Sequence, residues 1–353
     1  MMERKLTKAV KVSNLIIGNG FPITIQSMTN TKTKDVDATV KQILKLEDMG
    51  CEIIRVAVLD YEDALAIEEI KQQIHIPLVA DIHFDYKLAL QAIESGADKI
   101  RINPGNIGNE ENTKKVVLAC KEKGIPIRIG INAGSLEKDL IKDTNIVTPE
   151  MMIASAKRHV EILEKLNFYD IILSFKSSDV LLTINTYLEA AKQFDYPLHL
   201  GLTEAGPLLN SATKSSAAMG TLLYHGIGDT IRISISGDPF EEIIVGKQLV
   251  NSFYERSDTP TLISCPTCGR TQYDILPIVD EINEFLQTIH SNITVAIMGC
   301  AVNGPQEASR ADIGVAGGIN EAILFRQGKV MRKIPQEEIV EELKKEILNW
   351  KSD

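Results

Sequence analysis

The chain has 353 residues, 44% of them hydrophobic, so it can bury a sizeable core and is long enough for two or three domains. Lys and Arg number 38 against 48 Asp and Glu, a net charge of −10 that argues against a nucleic-acid or membrane-surface protein. No apolar run approaches the ~20 residues that span a bilayer, and the start Glu3-Arg4-Lys5-Leu6 lacks the apolar stretch of a signal peptide, so a cytoplasmic location is the expectation.

From about residue 20 the chain alternates short β-rich runs with longer helical patterns. Strands are expected at 23–26, 53–58, 78–82, 99–103, 125–131, 170–175, 198–202 and 230–235. They are apolar with few alternations, as strands covered on both sides should be. Helical spacing of apolar residues marks 36–49, 86–94, 114–123, 150–166, 180–194 and 240–253. Gly50, Gly96 and Gly124 supply stops after three of these helices. Eight strand–helix units in about 230 residues match a (β/α)8 TIM barrel, which takes roughly 250. A doubly wound open sheet is the rival, but it calls for a Gly-rich turn after the first strand, where this chain has Ser27-Met28-Thr29-Asn30.

The polar stretch Arg256-Ser257-Asp258-Thr259-Pro260 reads as a link, dividing a barrel domain at 1–257 from a smaller α/β domain at 258–353. In the second part, strands are expected at 262–264, 293–298, 312–318, 322–326 and 329–333, with helices at 279–289 and 337–350.

Four of the barrel strands share one pattern: Ile54-Arg55-Val56, Ile100-Arg101-Ile102, Ile127-Arg128-Ile129 and Ile231-Arg232-Ile233. Lys176 follows another, in Ser174-Phe175-Lys176. A buried arginine is costly unless it meets an anion, and in this fold the active site lies at the C-terminal strand ends. The bland reading pairs each arginine with an acid on a covering helix. The functional one gathers them at the barrel mouth around a small, highly anionic substrate, whose phosphate oxygens suit guanidinium forks. Other polar groups fall at the same ends: Asp81 and His83, Asn103 before Pro104-Gly105-Asn106, Asn132 and Ser135, Glu204 and Ser234. Together they describe a polar pocket with one histidine and two carboxylates able to handle protons.

Of five cysteines, Cys51 and Cys120 sit at a helix end and within a helix and read as core-filling thiols. Cys265 and Cys268 form a C-x-x-C pair, and Cys300 follows an apolar run. A zinc ribbon would need a second C-x-x-C, and a redox dithiol a thioredoxin-like context. Three thiolates also suit an iron–sulfur cluster with one iron left for another ligand. Glu307, in a Gly/Pro turn, is either that ligand or an ordinary turn acid.

The segments Ser264-Cys265-Pro266-Thr267-Cys268-Gly269-Arg270 and Gly299-Cys300-Ala301-Val302-Asn303-Gly304-Pro305-Gln306-Glu307 resemble those of the 4-hydroxy-3-methylbut-2-enyl diphosphate synthases. These are bacterial iron–sulfur enzymes of the methylerythritol phosphate route to isoprenoids. The likeness extends through Arg128-Ile129-Gly130-Ile131-Asn132-Ala133-Gly134-Ser135, Leu202-Thr203-Glu204-Ala205-Gly206 and Gly226-Ile227-Gly228-Asp229-Thr230-Ile231-Arg232, and so spans nearly the whole chain. Gln306 stands where the family usually has glycine, and the large insertion of plant-type members is missing.

The resemblance implies a TIM barrel followed by a small domain holding a [4Fe-4S] cluster on Cys265, Cys268, Cys300 and Glu307. It implies two-electron reduction of 2-C-methyl-D-erythritol 2,4-cyclodiphosphate, with electrons from reduced ferredoxin or flavodoxin. Arg55, Arg101, Arg128, Lys176 and Arg232 would bind the diphosphate, helped by Asn103, Asn132 and Ser234. Glu204, with Asp81 and His83, would handle protons. The family is a homodimer in which the cluster of one chain caps the barrel mouth of the other. The rival readings are a barrel for a phosphorylated or pterin-like substrate with a structural zinc, and a non-catalytic iron–sulfur redox sensor.

Overall fold

The computed structural model describes residues 3–103, 107, 110–141, 146–300 and 304–350. The turn Pro104–Asn106 and the segment Ala301–Asn303 of the cysteine motif lie outside them. The chain divides into two compact units, Met1–Phe253 and Tyr254–Asp353.

The first unit opens with a short antiparallel hairpin, β1 (Val10–Val12) and β2 (Leu15–Ile17). Eight parallel strands follow: β3 (Thr24–Met28), β4 (Ile53–Val58), β5 (Leu78–Ile82), β6 (Lys99–Ile102), β7 (Ile127–Asn132), β8 (Ile171–Lys176), β9 (His199–Leu200) and β10 (Thr230–Ile231). Each pairs with its neighbours in chain order, and β10 pairs with β3. The remaining seam, between β8 and β9, is closed by a parallel bridge from Leu173 to Leu198. A sheet whose strands run round in chain order and return to the first is a barrel.

Outside lie α1 (Val36–Asp48), α2 (Tyr61–Lys71), α3 (Tyr86–Glu94), α4 (Glu110–Lys123), α5 (Lys138–Ile141), α6 (Pro149–Glu164), α7 (Val180–Gln193), α8 (Leu208–Tyr224) and α9 (Pro239–Asn251). Asp35, Asp60, Asp85, Thr148, Asp179 and Asp238 cap six of them with side-chain oxygens that accept backbone N–H groups. Each cap satisfies a donor that the first helical turn leaves orphaned, worth about 1 kcal/mol.

The strands alternate in a way that fixes the site. Ile54, Val56, Ile100, Ile102, Ile127 and Ile129 are fully buried under the helices. The residues between them turn into the barrel. At the N-terminal ends of the strands Ile53, Val79 and Ile172 pack against Val10, Val12 and Ile17 of the hairpin, which plugs the barrel floor. Above this apolar floor the inward positions become polar.

The second unit is a five-stranded sheet in the order β11 (Thr261–Ser264), β12 (Thr294–Met298), β13 (Ile313–Gly317), β14 (Glu321–Arg326), β15 (Lys329–Pro335). The first three strands are parallel and the last two antiparallel. One face is covered by α10 (Leu276–Leu286) and α12 (Ile339–Leu348), whose Ile282, Leu286, Leu343 and Ile347 pack on Val295, Ile297, Val315 and Leu324. The other carries the short α11 (Gly304–Ala308), seated on β12 and β13. It can sit that close because Gly314 has no side chain; a Cβ there would fall 2.5 Å from the Ala308 carbonyl oxygen. Glu307 therefore stands on a helix rather than in the expected turn.

Candidate active site

The inward residues of β4 to β8 bring the sequence-derived cations together around one carboxylate. Asp81 on β5 accepts a hydrogen bond from Arg101 Nη1 at 3.1 Å, and its other oxygen lies 3.8 Å from Arg55 Nε. The strand register explains the meeting: Arg101 is directly opposite Asp81, and Arg55 is one strand away on the far side. Burial works against an ionised Asp81, but Arg55 and Arg101 outweigh it and bring the carboxyl down to about 2. Asp81 thus anchors guanidinium groups, and the proton handling expected of it is not what its surroundings favour. His83 Nε2 lies 2.6 Å from Arg101 Nη1, which requires a neutral ring accepting from the arginine. Burial, reinforced by Arg101 and Arg55 against the pull of Asp81, lowers its pKa accordingly.

Arg55 is held from the other side by Met28, whose Sδ accepts from Nε at 3.1 Å and Nη2 at 2.9 Å. Burial, together with Arg232 and Arg101, brings it down to about 10 despite Asp81. Lys176, the last residue of β8, is buried, and its pKa falls well below the usual lysine range through burial and the surrounding arginines. Two glycines make room for these heads. A Cβ on Gly130 of β7 would lie 2.7 Å from Arg101 Nε, and one on Gly201 3.2 Å from Lys176 Nζ.

Arg232 behaves differently: it pairs with Glu242 of α9 at 3.2 Å, the helix-acid pairing that the bland reading expects. Glu242 also accepts from Ser27 Oγ and the Ile235 N–H, so it fastens the strand to the helix. Arg128, the second residue of β7, sits below the mouth and is only 1% exposed. Its Nε and Nη1 have no hydrogen-bond partner among the described residues.

Asn103 follows the last residue of β6 and is buried; Asn132 ends β7 and is half-buried. Glu204 does not end a strand, because β9 stops at Leu200, where the backbone turns to bond the neighbouring loops. The Thr203 N–H donates to Ser177 and the Ser236 N–H to Gly206, tying together the loops after β8, β9 and β10. Glu204 is exposed on this rim with φ +55, a left-handed conformation that a side chain adopts at some cost. Ser234, whose carbonyl accepts from Ser211 Oγ, lies half-buried in the chain after β10. Met28, Lys99, His199 and Glu242 are interior polar or bonding partners that the sequence reading passed over.

In the second unit the two cysteine motifs leave the ends of adjacent parallel strands, β11 and β12, with Ser264 opposite Ile297. The Cys265 thiol accepts the Gly299 N–H at 3.2 Å, so the two motifs are in contact. A Cβ on Gly299 would crowd Thr271 at 2.9 Å. Cys268 is exposed and Cys300 half-buried, whereas Cys51 and Cys120 are buried. Burial pushes the Cys51 thiol up to about 12 and raises that of Cys120, as befits inert core thiols. Glu307 is paired with Arg310 at 3.5 Å. Among the described residues no three His, Cys, Asp or Glu converge on a single-ion site. A polynuclear cluster differs, since each ligand takes a separate metal atom. Accessible thiols, one already accepting a backbone N–H, fit such a group.

Among the described residues no helix is long and apolar enough to cross a membrane. Comparison with known proteins agrees with both units. The model of the GcpE TIM-barrel domain matches residues 7–247, and that of the GcpE protein C-terminal domain matches 261–349. The 4-hydroxy-3-methylbut-2-en-1-yl diphosphate synthase (flavodoxin) of Macrococcus caseolyticus is 58% identical over 98% of this chain and 93% of its own length. The protein of the same name from Exiguobacterium is 56% identical over the same shares. Among solved structures, dihydropteroate synthase from Stenotrophomonas maltophilia superposes with a TM-score of 0.50 at 13% identity, covering 70% of this chain and 97% of that one, a likeness of fold alone. Matched by both family models and by relatives of this identity along nearly its whole length, the chain belongs to the GcpE family.

Proposed function

We propose that this chain is a 4-hydroxy-3-methylbut-2-en-1-yl diphosphate synthase that takes its electrons from flavodoxin, as its relatives' names state for them. The substrate on this reading is 2-C-methyl-D-erythritol 2,4-cyclodiphosphate. Two electrons enter, the carbon–oxygen bond that closes the ring breaks, and a hydroxyl takes up a proton and leaves as water. The diphosphate stays on the product.

The observation that carries the proposal is the gathering of Arg55, Arg101 and Lys176, of which only the two arginines reach a carboxylate, that of Asp81. One acid cannot balance these cations, so the barrel holds positive charge for a doubly anionic ligand. Arg128 and Arg232 add to that field, and Asn103, Asn132 and Ser234 stand where neutral donors would complete the contacts. Neutral His83 steers Arg101 toward the substrate. Glu204, exposed on the rim, is the group we assign to proton delivery.

Cys265, Cys268, Cys300 and Glu307 would hold a [4Fe-4S] cluster, with Glu307 first giving up Arg310. Such a cluster, when bound, passes electrons singly and offers an iron to an oxygen ligand. The Gly299 N–H would remain on the Cys265 sulfur and moderate its charge. The working unit is a homodimer on this reading, as the resemblance implies.

Anaerobically purified protein should be brown, carry about four irons per chain, and convert the cyclodiphosphate when given reduced flavodoxin. A colourless zinc protein would overturn the cofactor assignment. An iron-loaded protein that leaves the cyclodiphosphate unchanged would overturn the activity.

A further inference from the structure

Below the tier around Asp81 the barrel contains a second polar level. Lys99 lies two residues before Arg101 on β6, and His199 two residues before Gly201. Two strand residues span about 6.6 Å, so both heads start one full pleat deeper than the groups assigned to the substrate. Each residue is 0% exposed. Lys99 Nζ, His199 Nε2, Thr24 Oγ1 and both ends of the Gln26 amide have no hydrogen-bond partner among the described residues. Arg128, between the two levels, adds its unpartnered Nε and Nη1. Thr24, Thr230 and His199 are directly opposite one another on β3, β10 and β9, and the His199 ring reaches Thr230 Oγ1 at 3.4 Å.

Ungratified polar atoms in such number are rare in a folded interior. Ordered water satisfies polar cavities when donors and acceptors are balanced. Here donors prevail: an ammonium, a guanidinium edge, an imidazole and an amide NH2 face two hydroxyls and one amide oxygen. The charge points the same way. Six cations turn into the barrel (Arg55, Lys99, Arg101, Arg128, Lys176 and Arg232), against the carboxylates of Asp81 and Glu242 among the described residues. A cyclic diphosphate brings only two further negative charges. Without another anion, Lys99 and His199 are driven toward their neutral forms by burial and by Arg128.

We propose that a small inorganic anion of halide size binds inside the barrel, between Lys99, Arg128 and His199, beneath the diphosphate site. Its role is to neutralise the lower level and let the upper cations keep their charge for the substrate. Val79 is directly opposite Lys99 and Ile172 directly opposite Arg128, and with Ile53 they pack on the hairpin that seals this end of the barrel, so such an ion exchanges slowly with solvent.

The test uses the whole chain in its purified, cluster-loaded form. Crystals grown with bromide should show an anomalous peak within contact distance of Lys99 Nζ and His199 Nε2. Replacing gluconate by chloride at constant ionic strength should raise the melting temperature by roughly 5–10 °C at a hundredfold excess over the dissociation constant. The variant Lys99→Met should lose that rise. If the variant does not fold, the bromide map of the natural chain decides alone. Waters alone against Lys99 and His199, or bromide only against Arg55, Arg101 and Arg232, would overturn the proposal, as would equal melting in the two salts.

Discussion

At the scale of single residues, Asp81 and Glu204 show how surroundings assign different work to two carboxylates in one barrel. Asp81 is buried between two guanidinium groups, with its pKa lowered to about 2. Its stabilising contribution is therefore complete above the unfolded value of ~3.9 and is lost as pH falls through the folded value. The loss amounts to about 2 kcal/mol. Acid melting curves of the natural chain should steepen between about pH 4 and pH 2, and Asp81→Asn should remove that part of the slope. Because the substitution also leaves Arg55 and Arg101 buried without their anion, it should cost several kcal/mol at neutral pH, on the order of 3–5. Glu204 is exposed and left-handed, on a rim tied down by three loops. Glu204→Gln keeps its shape and removes its proton. It should lower kcat by about 10²- to 10⁴-fold, with KM unchanged or reduced, since a negative charge near an anionic substrate has gone. Retention of kcat within a factor of about two would end the assignment. These two residues were legible as polar groups near strand ends, but their roles were not. Burial and pairing decide them, and neither shows in a linear pattern. Lys99 was more legible than the reading allowed, since Lys99-Ile100-Arg101 carries the same alternation that exposed the arginines.

At the scale of elements, the strands were readable because cover on both sides makes them short, nearly continuous apolar runs, so that the few charges within them stood out. Their order round the barrel followed from chain order alone. The hairpin of β1 and β2 escaped because three-residue strands carry no usable period, and its meaning lies in the floor it seals. β9 was expected to run to 202 but stops at Leu200. Gly201 is occupied by the approach of Lys176 and by the Arg232 carbonyl, 2.9 Å from where a Cβ would stand. The same reasoning gives a prediction for β7. Gly130 is inward and shapes the space in which the Arg101 head lies. Gly130→Ala would put a methyl 2.7 Å from Nε, and the flexible side chain would swing away rather than the strand break. Loss of one charge-assisted contact is worth about 1.5–3 kcal/mol. Inorganic diphosphate should then bind at least tenfold more weakly by calorimetry, while the far-ultraviolet spectrum stays unchanged.

At the scale of the whole molecule, each unit has its own core and its own chemistry, and the chain supplies a natural reporter to distinguish them. Its single tryptophan, Trp350, packs against the core of the second unit, near Arg326. Tryptophan fluorescence thus follows that unit, while far-ultraviolet circular dichroism is dominated by the nine helices described in the first. A ligand that binds only the folded state raises stability by about 2.7 kcal/mol at a hundredfold excess over its dissociation constant. Inorganic diphosphate, bound by the barrel cations, should therefore shift the dichroism melt upward by several degrees and move the fluorescence melt less. Oxidative loss of the cluster should do the opposite, lowering the fluorescence transition first. Equal shifts of both signals with diphosphate would mean that the anion is not confined to the barrel. The expected asymmetry follows from where the charges lie: among the described residues, Lys99 and Arg128, buried with unpartnered atoms, are inward residues of the parallel strands, and the accessible thiols lie beside the strand ends of the smaller sheet.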